Sequence, residues 1–192
     1  MLPEGPPLLL WNTARGNSDA ARAFDAAQVA RLREALASLP KGVAMDHASA
    51  LSALDRLQDE GRISGAEAQQ RRLHARASGQ ALDVTPGIRT RGKRLALAGA
   101  PLGNAVLQGW LDRQGALVLD LTGPDAPVGD LETLLRDRQI EHLVWQVDPH
   151  DDLHGWRRPG VARLCAELGI RFTDLGFIPS WPQETDLPGE LT

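Results

Sequence analysis

The stretch Leu95–Ala96–Leu97–Ala98–Gly99–Ala100–Pro101–Leu102–Gly103–Asn104 decides the fold. An apolar run meets a turn built from Gly and Pro, and Asn104 then stands where a helix N-cap belongs. This reads as a strand over 94–98, a tight turn, and a helix to Gln114 that Gly115 stops. Towards the C-terminus the pattern repeats. A second strand is expected over 117–120, with the loop 121–128 leading to a helix near 130–138. A third strand follows over 142–146. Pro159 then suits the first turn of a helix ending at Leu168 and Gly169, and a fourth strand is expected over 171–174. Strands alternating with helices at this spacing imply right-handed βαβ crossovers, hence an α/β fold with a small parallel sheet. Residues 7–11 could add a fifth strand or pair with another chain.

Towards the N-terminus the periodicity is helical. Asn17, Ser18 and Asp19 offer N-cap side chains, and Phe24, Val29, Leu32, Leu36 and Leu39 form one stripe before Pro40 and Gly42. A second helix is expected over 46–60, with Leu51, Leu54 and Leu57 on one face and Gly61 as its stop. Ser64 and Glu67 have capping-box spacing and open a third helix to about Ser78. These elements divide the chain into an N-terminal segment with a helical subdomain (1–79), a linker (80–92), an α/β domain (93–180) and a C-terminal tail (181–192).

Composition excludes several classes. The net charge of −4 argues against a nucleic-acid or acidic-membrane surface, either of which needs a basic excess. No run approaches the ~20 apolar residues of a membrane span. Residues 1–10 lack the basic start of a signal peptide, so a cytoplasmic protein is expected. The single cysteine, Cys165, rules out an internal disulfide and a four-cysteine metal site.

Three places could carry chemistry. The turn with Gly99, Pro101, Leu102, Gly103 and Asn104 opens a helix at the carboxyl edge of the sheet, where free N–H groups attract an anion; it matches neither GxGxxG nor a P-loop. The loop with Asp148, His150, Asp151, Asp152 and His154 gathers carboxylates and imidazoles. Asp148 and His150 are candidates for acid–base work, and His150, His154 and Asp152 for metal binding, though a solvated loop has the same composition and no metal is expected. Trp145 and Trp156 bracket that loop and could wall a pocket. Cys165, between Leu164 and Ala166, reads as a small buried hydrophobe.

Several of these segments together resemble the 2-hydroxyacyl-CoA dehydratase and benzoyl-CoA reductase family. Ser18–Asp19–Ala20–Ala21–Arg22–Ala23–Phe24 and Val29–Ala30–Arg31–Leu32–Arg33–Glu34–Ala35–Leu36 look like the entry to its helical segment. Gly61–Arg62–Ile63–Ser64–Gly65–Ala66–Glu67–Ala68 is similar to its "GRISGxEA" helix start, and Leu95–Ala96–Leu97–Ala98–Gly99–Ala100–Pro101–Leu102 to its "LLxTGSPL" strand and turn. Val144–Trp145–Gln146–Val147–Asp148–Pro149 matches its third strand, where the family reads "FCDP". The resemblance implies a flavodoxin- or Rossmann-like sheet with flanking helices, roughly the second half of a family subunit. In full members it further implies two paired subunits, cysteines that hold an iron–sulfur cluster beside a CoA thioester, and an ATP-dependent activator.

The departures are specific. Val147 stands where the family has its cysteine, the family's N-terminal α/β half has no counterpart here, and Cys165 matches no ligand position. A cluster needs thiolates or a replacing imidazole set. The expectation is therefore a short, cluster-free relative, an accessory or structural subunit beside a full-length partner that carries any iron–sulfur cluster. Three alternatives stand beside it: a contribution to acyl-CoA binding and to reductive or dehydrating chemistry in a hetero-oligomer, a metal-dependent activity at 148–154, and an inactive remnant.

Overall fold

The computed structural model describes residues 18–38, 47–127, 129–150 and 152–191. The chain divides into two compact units, Met1–Met45 and Asp46–Thr192. In the first, helix α1 spans Asp19–Ser38. Ser18 opens it, its hydroxyl accepting from the Ala21 N–H at 3.2 Å. Phe24 and Val29 of the expected stripe are exposed. The possible strand at 7–11 lies outside the described residues.

The second unit holds α2 (His47–Asp59), α3 (Gly65–Ser78), β1 (Arg94–Gly99), α4 (Val106–Gln114), β2 (Ala116–Asp120), α5 (Leu131–Asp137), β3 (His142–Val147), α6 (Asp152–Leu168), β4 (Arg171–Phe177) and a 3-10 turn at Glu184–Asp186. The four strands form one parallel sheet in the order β2-β1-β3-β4, the flavodoxin-like arrangement. Helices cover both faces, so β1, β2 and β3 are apolar almost throughout. One face buries Ala96, Ala98, Leu143, Trp145 and Val147 against Leu135 of α5 and Cys165 of α6. The other buries Leu95, Leu97, Leu117 and Val144 against Leu107, Trp110 and Leu111 of α4.

The second compact unit starts at Asp46 and takes in α2, α3 and residues 80–92 together with the sheet. Helices α2 and α3 pack on the sheet because polar side chains tie them there. The Gln58 amide donates to the Leu117 carbonyl at 3.0 Å, and Arg94 donates to the carbonyls of Arg138 (2.6 Å) and Asp59 (3.0 Å). Leu82, within the expected linker, is buried in the cluster of Leu54, Leu57 and Ile63.

Helix α3 begins where the spacing of Ser64 and Glu67 predicts, but its cap is shared differently. Ser64 accepts from the Glu67 N–H at 3.2 Å. The Glu67 carboxylate instead accepts from the Ile88 N–H at 2.9 Å and pairs with Arg71 at 2.7 Å. The N–H groups of Gly65 and Ala66 go to the two carboxylate oxygens of Asp112 in α4, at 3.0 and 2.8 Å. Burial pushes that carboxyl up, against the lowering effect of the two N–H donors.

Two boundaries differ from expectation. Helix α6 starts at Asp152, so Pro159 lies inside it rather than at its first turn. A proline there leaves the Gly155 carbonyl without its i+4 donor. Residues 155–160 are all exposed, so water can satisfy that carbonyl. Strand β4 runs past Asp174 to Phe177, and Gly176 takes a φ of +70° within it. None of the described helices is long and apolar enough to cross a membrane.

His142, at the start of β3, is 2% exposed and lies 2.9 Å from the Thr173 hydroxyl. Burial, with the nearby charges of Arg171 and Lys93, lowers its pKa to about 4. The unfolded chain therefore binds the proton more readily than the folded one between about pH 6.5 and 4, and stability falls as pH falls through that window. The slope from this group is at most about 1.4 kcal/mol per pH unit. Urea titrations at several pH values should show His142→Gln flattening this dependence; curves parallel to the parent would reject the assignment.

Candidate functional site

In a sheet of this order the crossovers leave β1 in opposite directions, opening a crevice at the carboxyl ends of β1 and β3. Gly99 ends β1 at a φ of +128°, and a Cβ there would overlap the Gln146 carbonyl oxygen of β3. Only glycine lets the two backbones come this close. The lock is doubled, because the Ala100 N–H donates to the Gln146 carbonyl at 3.3 Å and the Gln146 side-chain amide donates to the Ala100 carbonyl.

Beyond that lock, the turn is occupied by the protein itself. The Gly103 N–H donates to the Ser180 carbonyl at 2.7 Å, and the Trp181 ring lies so close to Gly103 that a Cβ would collide with it. The Asn104 side chain donates to the Pro182 carbonyl at 2.9 Å and accepts from the Val106 N–H at 3.1 Å. Helix α4 is accordingly capped from position 104, with Ala105 as the formal N-cap. Leu102 is buried, and its carbonyl accepts from Gln69 at 3.3 Å. Pro101 is exposed. Of the five turn residues, Gly99 lines a cavity, whereas Leu102, Gly103 and Asn104 pack against or hydrogen-bond to the C-terminal segment.

The exit of β3 is tied to the same segment. The Ile178 N–H donates to the Val147 carbonyl at 2.9 Å. Asp148 accepts from the Ser180 hydroxyl and, at 2.8 Å, from the His150 N–H; these two donors hold its carboxyl below the usual range. His150 is exposed. His154 lies on α6, not in the loop, with its ring 6.3 Å from that of Trp145. Among the described residues no three His, Cys, Asp or Glu side chains come together as metal ligands. Asp151 and the Asp152 side chain lie outside that description. Val147 and Cys165 are both buried in the same apolar cluster, and burial pushes the Cys165 thiol up to about 11.

On the α5 and α6 side of the crevice a cavity of about 270 Å³ remains open. Ala98, Gly99 and Trp145 contribute from the sheet, Leu121 and Pro127 from the loop after β2, Leu131 and Leu134 from α5, and His154, Arg157 and Val161 from α6. Trp145 thus lines a pocket as the sequence suggests. Trp156 is 84% exposed and does not. Arg157 and the loop residues escape a sequence reading because Pro159 conceals the first turns of α6. The placement of 121–128 at the carboxyl edge was the available clue. No family model matches this chain, and none of the curated proteins compared with it does.

Gly99→Ala should destabilise the protein by about 3 kcal/mol or more, since both a forbidden φ and a backbone collision arise. Gly160→Ala, in the exposed interior of α6 with open space around it, should instead stabilise it by about 0.5–1 kcal/mol. Denaturant midpoints of both variants test the lock: a harmless Gly99→Ala would show that β1 and β3 do not need this approach.

Proposed function

We propose that this chain is a cluster-free relative of the 2-hydroxyacyl-CoA dehydratase family, acting as an accessory subunit beside a family subunit that carries the cluster. The observation that carries the reading is the burial of Val147 in a hydrocarbon cluster at the carboxyl end of β3, where the resembling motif has a cysteine. The one thiol of the chain, Cys165, is buried in that same cluster and held protonated, so it is a poor ligand for iron.

An accessory role also draws support from the surface. Strand β4 ends the sheet order, and Phe177 at its end is 73% exposed. Trp156 on α6 is exposed as well. Large exposed aromatic side chains and an open sheet edge are features that a partner subunit covers.

A contribution to acyl-CoA binding is the second reading, favoured by the cavity beside Gly99. Asp148 does not line that cavity; held ionised by Ser180 and the His150 N–H at the exit of β3, it would serve as an acceptor rather than as an acid.

Anaerobic incubation with ferrous iron and sulfide should leave the purified chain without a stoichiometric iron–sulfur chromophore; a stoichiometric one overturns the cluster-free reading. Co-expression with a full-length family subunit should yield a complex in light scattering. The mass of the lone chain in that experiment overturns the accessory reading. Calorimetric titration with a CoA thioester, with and without that subunit, decides the second reading, and no heat in either case removes it.

A further inference from the structure

We infer that the cavity between β1, β3, α5 and α6 is a binding site for a small organic carboxylate with an apolar body. The inference rests on the cavity alone and does not need the family reading. Its walls are largely hydrocarbon, from Leu121, Pro127, Leu134 and Val161, and they favour an apolar ligand body.

Two donor-bearing side chains line the cavity without an acceptor among the described residues. Trp145 is 4% exposed, yet its indole Nε1–H has no hydrogen-bond partner among the described residues. The ring itself forms part of the cavity wall, so a bound ligand changes the surroundings of that N–H. Arg157 lines the same cavity from α6 and carries no ion pair among the described residues. Its guanidinium presents a planar fork that matches the two oxygens of a carboxylate. Among the described lining residues no side chain is acidic.

Size and polarity narrow the class. At about 270 Å³ the cavity lies just under the ~300–1,000 Å³ range of drug-sized sites, a size that holds a small organic group such as a short acyl chain. An inorganic phosphate would fit by volume, but its remaining oxygens would face hydrocarbon without donors. A monocarboxylate places its charge on Arg157 and its chain along Leu121, Leu134 and Val161.

The test uses hexanoate, with 1-hexanol and inorganic phosphate as controls, added to the ¹⁵N-labelled full chain. The Trp145 indole N–H resonance, assigned through Trp145→Phe, should shift saturably with hexanoate. Both controls and the Arg157→Gln variant should bind at least about tenfold more weakly. Arg157 is exposed, so that variant keeps its fold, which an unchanged spectrum elsewhere verifies. An unmoved Trp145 resonance overturns the inference, as does equal binding of 1-hexanol or phosphate, or undiminished binding by Arg157→Gln. A failed cluster reconstitution or a missing partner complex leaves these readouts unchanged, so the two proposals fail separately.

Discussion

The close approach of β1 and β3, where Gly99 rests against the Gln146 carbonyl, sets the geometry of everything at the carboxyl edge. It fixes how the turn 100–104 leaves the sheet, and thereby where α4 begins. It also fixes the direction in which β3 delivers Val147 and Asp148. The C-terminal segment then crosses both exits, hydrogen-bonding to Val147 and Asp148 on one side and to Gly103 and Asn104 on the other. A side chain at position 99 would push the two strands apart and unseat these contacts together.

The crevice so formed is divided. On the α4 side, backbone groups that a ligand might have used are paired with the chain's own residues 178–182, and Trp181 occupies the space that Gly103 leaves. On the α5 and α6 side a cavity stays open among the described residues, with Trp145 and Arg157 in its wall and no acceptor for their donors among those residues. The acidic loop contributes less to this division than its composition suggests, since Asp148 is committed to Ser180 and His154 turns to the Trp145 ring.

A second constraint anchors α2 and α3. Arg72 is 5% exposed and pairs with Asp55 at 2.6 Å, while donating to the Gln58 side-chain amide oxygen Oε1 at 3.1 Å. Burial raises the Asp55 carboxyl, and Arg72 acts against that rise. Losing one partner of such a pair leaves a buried charge uncompensated, which costs more than the pair itself contributes. The consequence is architectural: two helices whose sequence marks them as a separate segment are bound to β2 through polar groups.

Local signals made much of the fold legible. Ser64 before Gly65, the Gly and Pro turn after Ala98, and the apolar runs at β1, β2 and β3 each act within a few residues. Their structural outcome follows from backbone conformation and burial alone. The signals that misled were local as well. Pro159 suits a helix start, but helix interiors tolerate it where water reaches the freed carbonyl, and Asp174 conceals the continuation of β4 through Gly176. The candidate site was legible only as an address at the sheet's carboxyl edge. Which turn atoms are free depends on residues 178–182, some 75 positions away in sequence. By itself, then, the amino-acid sequence determined a parallel α/β sheet and a valine where the resembling motif has a thiol, because strand burial and residue identity are local properties. Tertiary structure alone decided that the Gly103 turn is closed and the cavity beside Trp145 and Arg157 is open. Hydrogen-bond pairing and free volume depend on which distant segments meet, and no local pattern encodes that.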